Sequence, residues 1–307
     1  MSEAETKPLF LGVDGGGSKT LAVIVDEAGC ERGRGVAGSS NHEVVGMDRA
    51  VAAIHEAVGK ATAIAHIDLP LTAAWIGLAG IDHPRDIGLL APAVSFFAAT
   101  VRMTNDAELA LSALAHQIGV AVISGTGSIA LGRDAQGSLA RAGGWGHVLG
   151  DEGSGFGIGR EALQCAVRAA DGRGRPTELL DSILRHWQLP APEALLERVY
   201  PTFDKTAIAA LAPLVLALAR AGDPVARKIE MRAASELALA IIAVARRLGI
   251  VAGPLPVAFG GGLLIHEEPL RALVIRHLEP TWSVNPVLVE EPASSAARAL
   301  ADWRFGS

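Results

Sequence analysis

The chain has 307 residues, enough to bury a large core and to form about two domains. Its formal net charge is −6 at pH 7 and its basic residues are scattered, which argues against binding nucleic acid through a basic stripe. The polar start MSEAETKPLF is no signal peptide, and no apolar run is long enough for a bilayer, so we expect a soluble, cytoplasmic protein. Cys30 and Cys165 lack metal-ligand spacing and are expected to be reduced thiols.

Alternating apolar runs and helical periodicity predict an α/β fold. In the first half we expect three strands, a helix, a strand, a helix, a strand and a helix. These elements span residues 9–14, 21–26, 31–37, 47–65, 73–78, 84–97, 100–104 and 106–117.

At Val120 the order begins again, with strands expected at 120–124, 129–133 and 138–142. Each half thus starts with a strand, a loop of small residues, a second strand and a turn that ends in glycine, which indicates a structural duplication. We place one domain at 1–118, joined by a C-terminal helix at 292–307, and a larger one at 119–291. Further helices are expected at 161–168, 178–187, 207–220, 224–248 and 294–303, and further strands at 257–259 and 286–290.

The first informative loop, DGGGSKT, runs from Asp14 to Thr20 between two predicted strands. Glycines let a backbone approach a ligand closely and turn successive N–H groups toward an anion. Two hydroxyl groups and one lysine add donors and a positive charge. A strand follows instead of a helix, so the loop is not a P-loop. The remaining alternatives are a phosphate-binding hairpin and a tight hairpin without a ligand.

A second loop, SGTGS at Ser124–Ser128, occupies the equivalent place in the second half. Two such loops could face each other across a cleft and hold one polyphosphate from both sides. A third glycine cluster, Gly260 to Gly262, follows a strand and opens a helix, where a base or ribose could lie against the backbone. By itself this cluster is equally compatible with a simple strand-to-helix turn.

Two carboxylates stand beside these loops. Asp14 ends the first strand, and a carboxylate next to phosphates indicates Mg²⁺ coordination, directly or through water. Asp106 lies in TNDA between a strand and a helix, where it would either cap the helix or point into the cleft. Thr104 or Asn105 could cap the helix instead, so the sequence leaves both alternatives open.

The motifs DGGGSKT, WIGLAG, TNDA, SGTGS and GGWGHVLGDEGSG, in this order, resemble those of the N-acetylglucosamine kinase family. That family is similar to the BadF/BadG/BcrA/BcrD ATPase-like proteins of the sugar kinase, Hsp70 and actin superfamily. The resemblance implies two ribonuclease H-like (actin-like ATPase) domains with a ligand cleft between them. It also implies ATP and Mg²⁺ as cofactors, an amino sugar as substrate and a homodimer. The implied reaction transfers the γ-phosphoryl group of ATP to a sugar 6-hydroxyl.

The resemblance also implies roles for individual residues. Asp106 would be the catalytic base, and Asp14 would hold the metal. GGWGHVLGDEGSG would bind the sugar, with Glu152 supporting the loop and His147 unassigned. The implied ATP-binding residues are Gly15, Gly16, Gly17, Ser18, Lys19, Thr20, Gly125, Thr126, Gly127, Gly260 and Gly261. The implied sugar-binding residues are Asn41, Asp106, Gly144, Trp145, Gly146 and Asp151.

Other functions remain open from the sequence. Glucosamine or another amino sugar could replace N-acetylglucosamine, because no motif marks an acetamide pocket. A BadF/BadG-type ATPase that activates a reductase would share the fold, although iron–sulfur clusters need several thiolates and the chain has two. A sugar sensor without catalysis would have no need for the complete set of loops and carboxylates.

Overall fold

The structure is a computed structural model that describes residues 7–81, 84–201 and 203–305. The chain divides into two compact units, each with one five-stranded sheet. Unit 1 is formed by the chain up to Gln117 and from Val289 onward, and unit 2 is formed by residues Ile118–Leu288. No single helix within the described residues is long and apolar enough to cross a membrane, although one sharply bent pair, Lys205–Ala221 with Pro224–Arg247, passes on length and composition.

The described residues contain ten strands. They are β1 (Leu9–Gly15), β2 (Thr20–Asp26), β3 (Glu31–Ala37), β4 (Leu71–Leu78), β5 (Ala98–Asn105), β6 (Gly119–Ser124), β7 (Ser128–Arg133), β8 (Leu139–Gly143), β9 (Gly253–Gly260) and β10 (Trp282–Val289).

Fourteen α-helices lie in the same part of the chain. They are α1 (His42–Val45), α2 (Met47–Ala65), α3 (Pro84–Val94), α4 (Asp106–Leu111), α5 (Gly146–Leu149), α6 (Gly155–Ala170), α7 (Leu179–Trp187), α8 (Ala194–Val199), α9 (Lys205–Ala209), α10 (Ala212–Ala221), α11 (Pro224–Arg247), α12 (Gly262–His266), α13 (Glu268–Leu278) and α14 (Pro292–Phe305).

The two sheets share one strand order. In unit 1 the order is β3-β2-β1-β4-β5, and in unit 2 it is β8-β7-β6-β9-β10. In each sheet the first three strands form an antiparallel meander, and a later strand pairs in parallel with the first one. The predicted α/β fold is confirmed, and the shared order supports the predicted duplication.

Strand alternation gives the unit 1 sheet two apolar faces. One face buries Leu11 and Val13 of β1 against Ile54 of α2, and the opposite face buries Phe10 of β1 against Ala297 of α14. The sheet is therefore covered by helices on both sides. Unit 2 buries the α11 stripe Leu237, Ile241 and Val244 against Val120, Val122 and Phe259 of its sheet.

Gly12 of β1 marks the closest approach between the unit 1 sheet and α14. A Cβ atom at this position would overlap the carbonyl oxygen of Ala293. We expect Gly12→Ala to lower the free energy of unfolding by about 2 kcal/mol or more, since the backbone of α14 must move. Urea unfolding of the variant measures this loss.

Gly59 on α2 provides the matched control. It is exposed and has open space where a Cβ would stand. Gly59→Ala should raise the free energy of unfolding by about 0.5–1 kcal/mol, because alanine is the better helix former. Equal unfolding midpoints for the two variants would contradict the close packing of β1 on α14.

Three helix predictions are wrong at their ends. The helix predicted at 106–117 ends at Leu111, and a 3₁₀ turn at Ala115–Gln117 follows with left-handed backbone at His116. The helix predicted at 84–97 ends at Val94, before another 3₁₀ turn. The helix predicted at 161–168 starts much earlier, at Gly155, because the Ser154 side chain caps it by accepting the Gly157 N–H.

The predicted helix at 207–220 is also wrong as a single element. It is split into α9 and α10, and Pro213 lies in the first turn of α10, where a missing N–H costs no helical hydrogen bond. The short helices α1, α5 and α8 had no prediction.

Candidate active site

The parallel strands of unit 1 bring two acidic residues to one edge of the sheet. Asp14 of β1 lies beside Gly77 of β4, which lies beside Thr104 of β5. Asp106 follows the end of β5 directly. Because parallel strands end at the same edge, the two predicted carboxylates lie near each other at that edge of the unit 1 sheet.

The environment of Asp14 favours its protonated form. Withdrawal from water, with a further contribution from the nearby Asp106 carboxylate, raises the pKa of Asp14 to about 7, while Lys19 acts in the opposite direction. A cation near the buried Asp14 carboxylate would favour its ionised form.

Asn105 is the N-cap residue of α4. Its Oδ1 accepts the Ala107 N–H at 2.9 Å, and the Oδ1 of Asp106 accepts the same N–H at 2.9 Å. Of the alternatives that the sequence left open, the cap position falls to Asn105. Asp106 stands one residue further on, as the first residue of the helix.

The first glycine loop joins β1 to β2. The Gly16 N–H closes its turn by donating to the Lys19 carbonyl at 2.9 Å, whereas the N–H groups of Gly17 and Ser18 have no partner within the described residues. A Cβ at Gly17 would meet nothing within 4 Å. This open backbone suits an anion. Gly15 has a different reason to be glycine, since a Cβ there would overlap Ser40 and Leu78.

Thr20 occupies a different setting from the rest of this loop. Its side chain is fully buried and its hydroxyl donates to the Gly38 carbonyl at 2.7 Å. This hydrogen bond ties β2 to the segment after β3, so the exposed part of the loop is Gly17 to Lys19.

Asn41 caps α1. Its Oδ1 accepts the Glu43 N–H at 3.0 Å and lies against Gly80, whose left-handed backbone (φ +85°) and missing side chain make room for it. The structure thereby packs the SSNHEVVG and WIGLAG segments against each other within unit 1.

The second glycine loop joins β6 to β7 in unit 2. The Gly125 N–H donates to the Gly127 carbonyl at 3.0 Å, and the Ser128 N–H donates to Oδ1 of Asp151 at 3.1 Å. Between them, the N–H groups of Thr126 and Gly127 lack a partner among the residues described. Two adjacent free donors in a glycine loop form an anion-binding arrangement.

The third glycine cluster packs directly against the second loop. Gly261 has a φ of +81°, and a Cβ there would overlap the backbone of Ser124. Gly262 begins α12 and has open space beside it. In unit 2, these glycines place the end of β9 next to the loop that follows β6.

Trp145 lies on the surface of unit 2. It follows two glycines with positive φ, precedes a third at Gly146, and is 67% exposed. The Arg141 guanidinium stands 5.2 Å from its ring centre. A buried structural role for this tryptophan is therefore excluded, and its ring is available to a ligand.

Asp151 has a setting that the sequence did not indicate. The residue is only 3% exposed, and its Oδ2 accepts Lys205 Nζ at 2.7 Å. Lys205 was missed by sequence reasoning, since it lies 54 residues away from Asp151 in a segment without a motif.

His147 stacks on Phe203 with ring centres 5.2 Å apart, and no sequence signal predicts this contact either.

Two α/β units with equal strand order, each with a glycine-rich hairpin loop after its first strand, define the actin-like ATPase fold of the sugar kinases. The sequence comparisons identify the family within this fold. Residues 11–287 match the BadF/BadG/BcrA/BcrD ATPase family, and the chain belongs to it.

Named relatives make the comparison more specific. The chain is 35% identical to the N-acetyl-D-glucosamine kinase of Dictyostelium discoideum, over 92% of this chain and 94% of the relative. It is 34% identical to the N-acetylmuramic acid/N-acetylglucosamine kinase of Clostridium acetobutylicum, over 83% and 85% of the two chains. A solved structure of a candidate N-acetylglucosamine kinase from Chromobacterium violaceum matches with a TM-score of 0.74 and 27% identity, over 96% and 99%. The resemblance inferred from the motifs is confirmed.

Proposed function

We propose that the protein is an ATP-dependent amino-sugar kinase that transfers the γ-phosphoryl group of ATP to the 6-hydroxyl of N-acetylglucosamine. The observation that carries this proposal lies within unit 1, where the unpartnered N–H groups of Gly17 and Ser18 follow the strand that ends in Asp14, and Asp106 follows a strand of the same sheet. The named functions of the two relatives support the choice of substrate.

Phosphoryl transfer requires aligned oxygens and compensated charge more than covalent help from the protein. The free N–H groups of Gly17, Ser18, Thr126 and Gly127 would bind phosphate oxygens, and Lys19 would add a positive charge. Asp106 would accept the proton of the sugar 6-hydroxyl as that oxygen attacks the γ-phosphorus atom. The bond from the γ-phosphorus to the bridging oxygen breaks, and ADP leaves.

The carboxylate of Asp14 and its surroundings are suited to a magnesium ion. Carboxylate oxygens are the protein ligands that Mg²⁺ prefers, and a cation beside Asp14 would offset the burial and the nearby Asp106 carboxylate that raise the pKa of Asp14. The described residues hold no group of three or more potential metal ligands, so nucleotide phosphates and water would complete the shell. A bound magnesium ion would supply charge neutralisation at the phosphates.

Trp145 would contact the sugar. Pyranose rings have apolar faces that suit an exposed aromatic ring, and the glycines on either side of Trp145 let the backbone approach the sugar hydroxyls. Asn41 and Gly144 complete the proposed sugar-binding set. The homodimer and the cytoplasmic location remain predictions from the sequence.

A sugar panel in an ADP-release assay tests this function. We expect the highest kcat/KM for N-acetylglucosamine, with lower values for glucosamine and N-acetylmuramic acid. The analogue 6-deoxy-N-acetylglucosamine should release no ADP above the rate without sugar, because it lacks the acceptor hydroxyl. ADP release that is independent of any sugar would contradict the proposal and favour an ATPase that serves another protein.

A further inference from the structure

Asp151 makes more contacts within the protein than a residue whose only role is to bind a substrate would need. Its backbone adopts the left-handed conformation (φ +63°), which residues other than glycine seldom occupy. Its carbonyl oxygen accepts two hydrogen bonds from Ser154, from the N–H at 3.2 Å and from Oγ at 2.6 Å. Its carboxylate accepts one bond from Ser128 N–H and one from Lys205 Nζ. Surrounding structure therefore fixes both the backbone and the carboxylate.

The turn around Asp151 clamps the second phosphate loop. Ser124 Oγ donates to the Gly153 carbonyl at 2.8 Å at one end of the loop, and Ser128 Oγ donates to the Glu152 carbonyl at 2.7 Å at the other. The middle of the loop is fixed as well, because the Gly155 N–H donates to the Gly125 carbonyl at 2.8 Å. We call these contacts, together with the bond from Ser128 N–H to Asp151, the loop clamp.

Gly127 shows how tightly the clamp fits. A Cβ atom at this residue would stand 2.8 Å from Oδ1 of Asp151, closer than real Cβ contacts come. The carboxylate thus lies directly against the loop whose Thr126 and Gly127 N–H groups are free. A bare carboxylate at this place would repel phosphate oxygens bound to those donors.

Lys205 compensates this charge. It is the first residue of α9, its Nζ lies 2.7 Å from Oδ2 of Asp151, and its side chain is 31% exposed against 4% for Asp151. A charge that is this deeply buried depends on its partner, because removal of the partner leaves it uncompensated.

We propose that Lys205 is a positioning residue for phosphoryl transfer. Its ammonium group neutralises and orients the Asp151 carboxylate, which in turn sets the second phosphate loop through Ser128 N–H, so that Thr126 and Gly127 present their N–H groups to ATP. This gives Asp151 a second task besides the predicted sugar contact. The inference rests on the proposed function, because it takes the second loop to bind ATP phosphates.

Nucleotide affinity provides the direct test. In Lys205→Met the length of the side chain is kept and the charge is lost, so the Kd for the magnesium complex of adenylyl imidodiphosphate should rise roughly tenfold or more by calorimetry. The KM for ATP should rise in parallel, and by a larger factor than the KM for the amino sugar. Lys205→Arg should restore most of the nucleotide affinity, since it keeps the charge.

The double variant Asp151→Asn/Lys205→Met shows whether the effect of Lys205→Met comes from the uncompensated Asp151 charge or from a change in structure. Without a carboxylate there is no buried charge to compensate, so we expect it to bind the nucleotide more tightly than Lys205→Met alone. This variant also tests the proposal if Lys205→Met does not fold.

Lys60→Met is the matched control, because Lys60 forms an exposed ion pair of 2.6 Å with Glu56 on α2 of unit 1. Its nucleotide affinity should equal that of the wild type.

Two results would overturn the role of Lys205. One is wild-type nucleotide affinity in Lys205→Met, and the other is equal losses in the KM for ATP and the KM for sugar. Binding of the analogue requires no sugar turnover, so this test is separate from the proposed function. A wild type that binds the nucleotide but phosphorylates no sugar would refute the kinase proposal and leave the charge compensation by Lys205 testable by the same titration.

Discussion

Asp106→Asn lowers kcat by roughly 10²–10⁴-fold and leaves MgATP binding almost unchanged, if Asp106 takes the proton of the sugar hydroxyl. The amide keeps the size and the hydrogen-bonding shape of the side chain but cannot accept this proton at neutral pH. Loss of the base therefore removes an interaction made in the transition state and not in the ground state. Steady-state kinetics with saturating sugar, combined with nucleotide titration, measure both quantities.

Asp48→Asn is the control for this substitution. Asp48 lies in the first turn of α2, just as Asp106 lies in the first turn of α4, but it is exposed and distant from both glycine loops in the sequence. Its kcat should equal that of the wild type. Near-full activity in Asp106→Asn would remove Asp106 from the role of base, and a parallel loss in Asp48→Asn would point to a helix effect.

The second large effect is a change in pH-dependent stability on Asp14→Asn. The folded-state pKa of Asp14, about 7, lies above the ordinary value of 3.8. Asp14 therefore contributes stability that is complete below pH 3.8 and is lost as the pH rises through 7. Without metal and nucleotide, the wild type should lose on the order of 3 kcal/mol of unfolding free energy between pH 4 and pH 8 that the Asn variant keeps.

Urea unfolding of both proteins at a series of pH values measures this difference. The two stability curves should diverge as the pH rises, with the Asn variant more stable at pH 8. Asp48→Asn, which replaces an exposed carboxylate, should follow the wild-type curve. Parallel curves for the wild type and Asp14→Asn would show that Asp14 ionises at its ordinary pKa.

The first strands of unit 1 were predictable, whereas β9 and β10 each begin four residues before the strands predicted at 257–259 and 286–290. The meander of unit 1 follows its predicted ranges within a residue, because runs such as LAVIVD are apolar on both faces and end at turn residues. Helix ends were less predictable. The start of α6 was missed because Gly155, Gly157 and Gly159 look like loop residues, while their real function is close packing, as at Gly159 against the Ile208 carbonyl.

Motifs in the sequence predict where the candidate residues lie along the backbone, but not the tertiary contacts that these residues make. The places of Asp14 at the end of β1 and of Asp106 just after β5 could be predicted, because each follows an apolar run typical of a strand. The choice of cap at the start of α4 could not be made, since Asn and Asp cap equally well. The pairing of Asp151 with Lys205 had no local signal at all, because it depends on how α9 packs.

The loop clamp also has a thermodynamic consequence. The segment from Gly143 to Ser154 contains Trp145, the proposed sugar contact, at one end and the residues that hold the second glycine loop at the other. A sugar that orders the exposed end around Trp145 would reduce the ordering cost of nucleotide binding in the same unit. Reciprocity then requires ATP to strengthen sugar binding by the same factor. Substrate synergy would thus follow from a few hydrogen bonds within unit 2.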